Sequence, residues 1–342
     1  ALGRTKLLLD AIRACAAAGH EPVLLGTAEA APEYGAVPED FEALARELGC
    51  PYFCSSTLDT ASVRDLIRHC RPDVGISMNW PRLIEPSVLA EFPHGIINAH
   101  GGDLPRYRGN ACPNWAILAR ERSMAVVLHR MDSELDAGPV LARRQMTLTA
   151  MTYVADIYSF LAVAVPELFV RVLAEIDAGE AVAVAQPEDP TIALRGFPRL
   201  PSDSEIDWAE TADHIAAIVR ASGDPYCGAF TYWNGARLTV RRARADDLPY
   251  PWMGTPGQVA EVRPQSGEVV VLCGRGVLVL EQVQYDGPAR RPAADVIRSG
   301  RARLGVDVSE DLASLRRRVA DLERRLRERE SAHDEEDGEC KA

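Results

Sequence analysis

Four short apolar runs, Glu21 to Gly26, Pro51 to Cys54, Asp73 to Met78 and Gly95 to His100, are separated by stretches in which apolar residues recur every three or four positions, as in Phe41 to Leu48 and Val63 to Cys70. Short apolar runs read as buried strands and the longer periodic stretches as helices. Their alternation predicts a Rossmann-like, mostly parallel sheet, with chemistry expected at the carboxyl ends of its strands. The opening stretch, interrupted by Asp10 and Arg13, reads as a helix following a strand rather than as a signal peptide. No apolar run is read as long enough to span a membrane.

Met151 to Ala178 is compatible with one long helix, with a bend expected at Pro166, and the Pro-rich segment from Pro187 to Pro201 reads as a linker. After a helix over Ala209 to Ala221, the period changes to short strands: Ala229 to Trp233, Arg237 to Arg242, Gly257 to Val262, Val269 to Cys273 and Val277 to Val283. Gly274-Arg275-Gly276 suits a tight hairpin turn, and five such strands suggest a small OB-like β-barrel. Finally Val308, Leu312, Leu315, Val319, Leu322 and Leu326 step by four and three, the spacing of a heptad helix, and an acidic tail follows. The expected boundaries are a catalytic domain at 1–186, a linker at 187–204, a barrel at 205–305, a heptad helix at 306–330 and a disordered tail at 331–342. The helix is expected to pair as a homodimer contact, helped by the globular part because so short a stripe is marginal alone.

Of the 342 residues 47% are hydrophobic, enough to bury two cores, and the formal charge is −12. That charge works against binding to phosphate backbones, which depends on Lys and Arg displacing counterions. Eight cysteines are scattered without zinc-finger spacing, which suits reduced thiols in a cytoplasmic enzyme and gives no metal site. Neither a G-x-G-x-x-G after the first strand nor a P-loop is present, so the α/β domain lacks a nucleotide phosphate cradle.

The candidate chemistry lies at the end of the fourth strand. Asn98 and His100, two positions apart, project from one face of a strand and reach one reacting atom at its carboxyl end. Gly101 and Gly102 allow close approach of backbone and substrate, while Pro105 and Gly109 shape the loop. Such a pair is by itself common among turn residues with no chemical role. A second segment, Leu128 to Met146, adds a strand, an acidic loop and a strand, with Asp136 in a tight D-A-G-P turn that can aim a carboxylate inward.

Asn98-x-His100-Gly101, Leu104-Pro105-x-Tyr107-Arg108-Gly109 and the later L-D-A-G-P-V-L resemble the folate-dependent formyltransferase family, which includes methionyl-tRNA, glycinamide ribonucleotide and sugar N-formyltransferases. Arg199 to Trp208 and Asp224 to Gly235 resemble the start of that family's carboxyl-terminal barrel, so the likeness runs from about Gly3 to about Gly305. The resemblance implies a catalytic triad of Asn98, His100 and Asp136. In that chemistry an amide N–H stabilises the oxyanion of acyl transfer, an imidazole takes the proton of the attacking amine, and a carboxylate orients the imidazole. It also implies 10-formyltetrahydrofolate, or a related one-carbon tetrahydrofolate, as co-substrate and no metal. The segments matching its folate site carry Met78, Asn79, Trp80, Leu83 and Ile84, with Asp132 and Glu134 in the acidic turn; Trp80 suits either pterin contact or packing. Arg106, Tyr107 and Arg108 either shape the loop or touch an anionic part of a ligand.

The acceptor is read from two departures. Thr27 to Leu44, matching the region that meets tRNA in methionyl-tRNA formyltransferases, has five carboxylates and neither Lys nor Arg, which disfavours nucleic acid. His100 to Gly102, Pro113 to Trp115 and Leu128 to Met131 resemble the sugar N-formyltransferase branch, but Gly102 and Asp103 stand where that branch usually differs. Asp103 either draws a cationic amine or is an ordinary loop carboxylate. The expectation is formyl transfer to a primary amine of an amino sugar or aminoglycoside-like acceptor. Alternatives are formimidoyl transfer, methionyl-tRNA formylation, and a formyltetrahydrofolate hydrolase or folate-binding regulator.

Overall fold

In the computed structural model, residues 1–187, 189, 191–246, 251–306, 312–313 and 315–327 are described. The chain forms two compact units, Ala1–Ser204 with Ala216–Ala229, and Glu205–Ile215 with Phe230–Ala342.

The first unit is built on a seven-stranded sheet. In chain order its elements are β1 (Leu2–Gly3), α1 (Lys6–Ala17), β2 (Leu25–Thr27), α2 (Pro38–Leu48), β3 (Tyr52–Cys54), α3 (Ala61–Cys70), β4 (Gly75–Met78), α4 (Pro86–Leu89), β5 (Ile96–His100), β6 (Tyr107–Gly109), α5 (Cys112–Leu118), β7 (Ser123–Arg130), β8 (Val140–Thr147), α6 (Val154–Asp177) and β9 (Leu194–Gly196). The sheet order is β3-β2-β1-β4-β5-β7-β8. Its first five strands run parallel, whereas β7 and β8 add antiparallel. The β/α alternation of the sequence therefore gives the parallel part, and the L-H-R-M to D-A-G-P segment turns back as a hairpin at the edge.

Alternation along the strands separates two cores. Ile97 and Ala99 of β5, with Met124, Val126 and Leu128 of β7, pack with α1 and α6 on one face. Ile96 lies on the other, with Phe92, Val88 and Ile67, and Leu104 meets Ala125 and Val127 there. Residues 98, 100 and 129 share this second face by the two-residue period.

Two sequence readings are corrected. Helix α6 has the length and apolar character of a membrane-crossing helix, although none was read from the sequence; here it lies in the core, with Ile157, Leu161, Phe169 and Val172 fully buried. The Pro-rich segment contains a strand, β9, that pairs in parallel with β6 from Tyr107↔Leu194 to Gly109↔Gly196.

The second unit carries a six-stranded antiparallel sheet. Helix α7 (Ala212–Ala221), which is divided between the two units after Ile215, precedes β10 (Ala229–Trp233), β11 (Ala236–Asp246), β12 (Val259–Arg263), β13 (Glu268–Leu272), β14 (Val277–Tyr285), β15 (Arg290–Pro292) and α8 (Ala293–Val296). The order is β10-β11-β14-β13-β12 with β15 on β14. β13 and β14 form the hairpin expected at Gly274-Arg275-Gly276, closing on the pair Leu272↔Val277. Residues 315–327 are helical. Val308 and the acidic tail at 331–342 lie outside the described residues.

Candidate active site

Strand register assembles the site. Asn98 of β5 stands directly opposite His129 of β7 and beside Ser77 of β4, so three polar residues of three adjacent strands form one row on the second face. All three are buried, with Ser77 at 0%, Asn98 at 8% and His129 at 1% exposure. Asn98 Nδ2 lies 3.2 Å from His129 Nε2, and His129 Nδ1 lies 3.2 Å from the carbonyl of Arg130. The His129 ring proton serves the Arg130 carbonyl when it is on Nδ1, leaving Nε2 to accept from the Asn98 amide, and it serves the Asp136 carboxylate when it is on Nε2. The Ser77 hydroxyl has no hydrogen-bond partner in the protein.

Asp136 enters from the β7–β8 connection. Its backbone is left-handed (φ 51°), a conformation that Asp tolerates better than most residues, and this aims the carboxylate back under the loop after β5. Oδ2 lies 3.4 Å from His100 Nδ1 and Oδ1 lies 3.5 Å from His129 Nε2, so one carboxylate bridges two imidazoles. Oδ2 also accepts the Gly109 N–H at 2.8 Å. Gly109 itself has φ +96°, and a Cβ there would lie 2.4 Å from Gly196 O on β9. Gln186 fixes the turn from outside: its Nε2 donates to the carbonyls of Asp136 and Gly138, both at 2.8 Å, and its Oε1 accepts from Arg108.

His100 is held at both nitrogens. Nε2 donates to the Tyr107 carbonyl at 2.5 Å, and the Cys112 thiol lies 3.6 Å from the same nitrogen. Burial, the largest single influence, pulls the imidazole pKa down, but the negative Asp136 and the Cys112 thiol together outweigh it, and the pKa is raised from 6.5 to about 9. Burial acts on Asp136 in the opposite sense, and the His100 charge and the bonds from His129 and Gly109 overcome it, leaving the carboxyl well below its usual range. The resting pair is imidazolium and carboxylate.

The loop between β5 and β6 closes against this pair. A Cβ at Gly102 would lie 2.6 Å from Tyr107 O and 2.7 Å from His100 Nε2, so the chain passes the ring as closely as glycine allows. Gly101 is roomier, its nearest neighbours 3.6 Å away. Asp103 is paired with Arg143 at 3.0 Å, and Arg143 also donates to Leu104 O, so the Asp103 charge is already balanced and its pull on an ammonium is weaker than the sequence suggested. Arg106 and the Tyr107 hydroxyl both converge on Glu121, at 2.7 Å each. Burial, then Glu121, pushes the Tyr107 hydroxyl up to about 12. These two residues, with Arg108 on Gln186, brace the loop.

The expected donor segment is divided. Met78 and Ile84 are buried in the cores, and half-buried Trp80 packs with Met131 against the cluster of Ile84, Val88 and Phe92. Asn79 is left-handed (φ 56°), and its carbonyl accepts from Arg4 Nε at 2.8 Å. Leu83 is 58% exposed, and the exposed Asp132 caps its own turn by accepting the Glu134 N–H at 2.9 Å.

The structure therefore brings Asn98, His100 and Asp136 together and adds His129, Ser77, Gln186 and Cys112. Among the described residues no group of three or more His, Cys, Asp or Glu is placed to hold a metal ion.

A model of the formyl transferase family matches residues 22–173, and the model of the formyl transferase carboxyl-terminal domain matches residues 200–301. The chain belongs to the formyl transferase family. Among solved structures, an N-formyltransferase from Helicobacter canadensis, in complex with folinic acid and dTDP-3-aminofucose, is 13% identical with a TM-score of 0.61, covering 83% of this chain and 98% of that one. WlaRD, a sugar 3N-formyl transferase determined in the presence of dTDP and 5-N-formyl-THF, is also 13% identical with a TM-score of 0.61, over 84% of this chain and 97% of that one. HypX from Aquifex aeolicus, in complex with tetrahydrofolic acid, is 20% identical with a TM-score of 0.55, over 81% of this chain and 47% of that one. The chain spans about half the length of the HypX chains it matches. At these identities the likeness is one of fold.

Proposed function

We propose that this formyl transferase moves a formyl group from 10-formyltetrahydrofolate to a primary amine of a small amino sugar or aminoglycoside-like acceptor. The observation that carries this reading is the carboxylate of Asp136 bridging His100 and His129, with the Asn98 amide in register beside them. Family membership and the folate and amino-sugar ligands of the similar structures support it.

The folate supplies a formyl group activated on N10. The residues here fit such a donor: Ser77 offers a buried hydroxyl without a protein partner next to Asn98, and Leu83, in the segment that follows β4, offers an exposed apolar side chain. These residues would hold the pterin. Asn98 has two amide N–H groups; one meets His129 and the other serves the oxygen that gains charge as the amine attacks, a fixed dipole that needs no reorganisation. His100 takes the proton shed by the attacking nitrogen and returns one to the departing nitrogen. Its Nε2 must first leave the Tyr107 carbonyl, and Asp136 keeps the ring's orientation through Nδ1.

The acceptor reading rests on charge. The stretch from Thr27 to Leu44, which includes the first turn of α2 with Glu39 and Asp40, carries five carboxylates and no Lys or Arg of its own, and Arg4, which lies over its Tyr34 ring, is used on the Glu29 and Asn79 carbonyls. Incubation with 10-formyltetrahydrofolate and a panel of nucleotide-linked amino sugars, aminoglycosides and Met-tRNA, read by mass spectrometry, tests it. One added formyl on an amino sugar or aminoglycoside is the expected product. Formylation of Met-tRNA alone, or release of formate without any amine, contradicts the reading, and turnover only with a formimino donor changes the group transferred.

A further inference from the structure

The helical residues 312–313 and 315–327 present a stripe that their own chain leaves uncovered. Leu312, Leu315, Val319, Leu322 and Leu326 are exposed at 46%, 55%, 53%, 62% and 59%, a row of apolar residues at three- and four-residue spacing. A side chain covered by its own sheet would be far less open than this. In heptad terms Leu312, Val319 and Leu326 take the a positions and Leu315 and Leu322 the d positions.

The charges beside the stripe specify what covers it. Arg318 and Arg325 then stand at g, Arg316 and Glu323 at e. In a parallel two-stranded coiled coil each g residue faces the e residue five positions on in the other helix. Arg318 thereby meets Glu323 of a second copy. The sequence extends the rule on both sides, since Asp311 and Arg316, and Arg325 and Glu330, are also five apart and opposite in sign. An antiparallel pair sets g against g and places the arginines at 318 and 325 against each other. A β-branched residue at a, Val319, between leucines at d favours two strands over three.

We infer that the helix at 315–327 is a parallel, in-register dimer contact with a second copy of this chain, its register set by Arg318 against Glu323. Residues five apart in one helix lie about 140° apart around its axis, so this pair cannot form within a chain. Asp321 pairs instead with Arg324 and Arg325 on its own helix.

Sedimentation of the full chain across a concentration series tests this. The wild type is expected as a dimer, and Leu315→Asp with Leu322→Asp as a monomer. Arg318→Glu is expected to weaken dimerisation by about tenfold, and Arg318→Glu combined with Glu323→Arg to restore it. Circular dichroism of each variant verifies that the globular part is folded. A wild type that stays monomeric overturns the proposal, as does a dimer that survives the two Leu→Asp changes. Failure of the double charge swap to restore what Arg318→Glu loses overturns the parallel register.

Discussion

Asn98 and His100 occupy neighbouring positions on one strand face, yet their environments differ. Asn98 is fixed by a cross-strand partner, His129, and its replacement removes that contact while leaving the His100–Asp136 pair in place. Asn98→Ala is expected to keep the fold and lower kcat by about 10²–10³, the usual loss for one oxyanion donor, with KM for folate and amine nearly unchanged. Steady-state kinetics with a thermal melt checks both halves. His100 instead carries a charge, and its consequences are pH-dependent. The imidazole works as a base only when neutral, so kcat is expected to rise with pH up to about 9. Stability moves the other way: a pKa raised from 6.5 to about 9 stabilises the fold fully below about 6.5 and ceases to do so as pH rises through about 9. Asp136→Asn removes the charge that holds the imidazolium, so the inflection in kcat should fall by more than a unit and the alkaline loss of stability should disappear. An unmoved inflection in that variant shows that another group titrates.

At this scale the sequence discloses residues whose neighbours are close in the chain. Asn98, His100 and Asp136 stand out by spacing and turn chemistry. His129 lies in a segment read only for its resemblance, and its part in the site follows from the register of β5 on β7, which no local pattern encodes. Ser77 and Gln186 reach the site from 21 residues before Asn98 and 50 after Asp136, and nothing in their own surroundings marks them. The charge on Asp103 was visible and its partner Arg143, two strands away, was not.

Among the elements, the loop from Gly101 to Gly109 does most to shape the site, because it delivers the Tyr107 carbonyl to His100 and the Gly109 N–H to Asp136. Gly102 sets how closely the loop can lie. A methyl group there forces the Tyr107 carbonyl and the His100 ring apart, and overpacking of this kind costs about 1–3 kcal/mol. Gly102→Ala is therefore expected to lower kcat about tenfold while shifting the His100 inflection, a combination that a purely structural defect in the loop does not give. The parallel strands and the hairpin at Gly274 to Gly276 follow from apolar period and turn residues, and the sequence shows them to within a few positions. β9 is different: three residues in a Pro-rich stretch become a strand because β6 offers them an edge. Its pairing is a property of the partner, as is the antiparallel return of β7 and β8.

For the whole molecule, the formal charge of −12 and the cation-free Thr27 to Leu44 stretch bear on what approaches it. Met-tRNA is expected not to bind even at low ionic strength, where counterion release favours binding most; retention in a gel-shift titration at low salt contradicts this. A polycationic aminoglycoside should bind less well as salt rises, because long-range attraction is screened within about 10 Å at 0.1 M salt. Transfer of a folate-borne formyl group to an amine by the Asn98–His100–Asp136 site is followed with an isotopically labelled formyl group from 10-formyltetrahydrofolate in parallel reactions of the wild type and His100→Ala. In the wild type the label is expected in the amine product, and in His100→Ala its appearance should slow by at least about 10²-fold with folate still bound. Label that stays on the folate or leaves as formate in the wild type, or that reaches the amine equally fast in His100→Ala, contradicts the account.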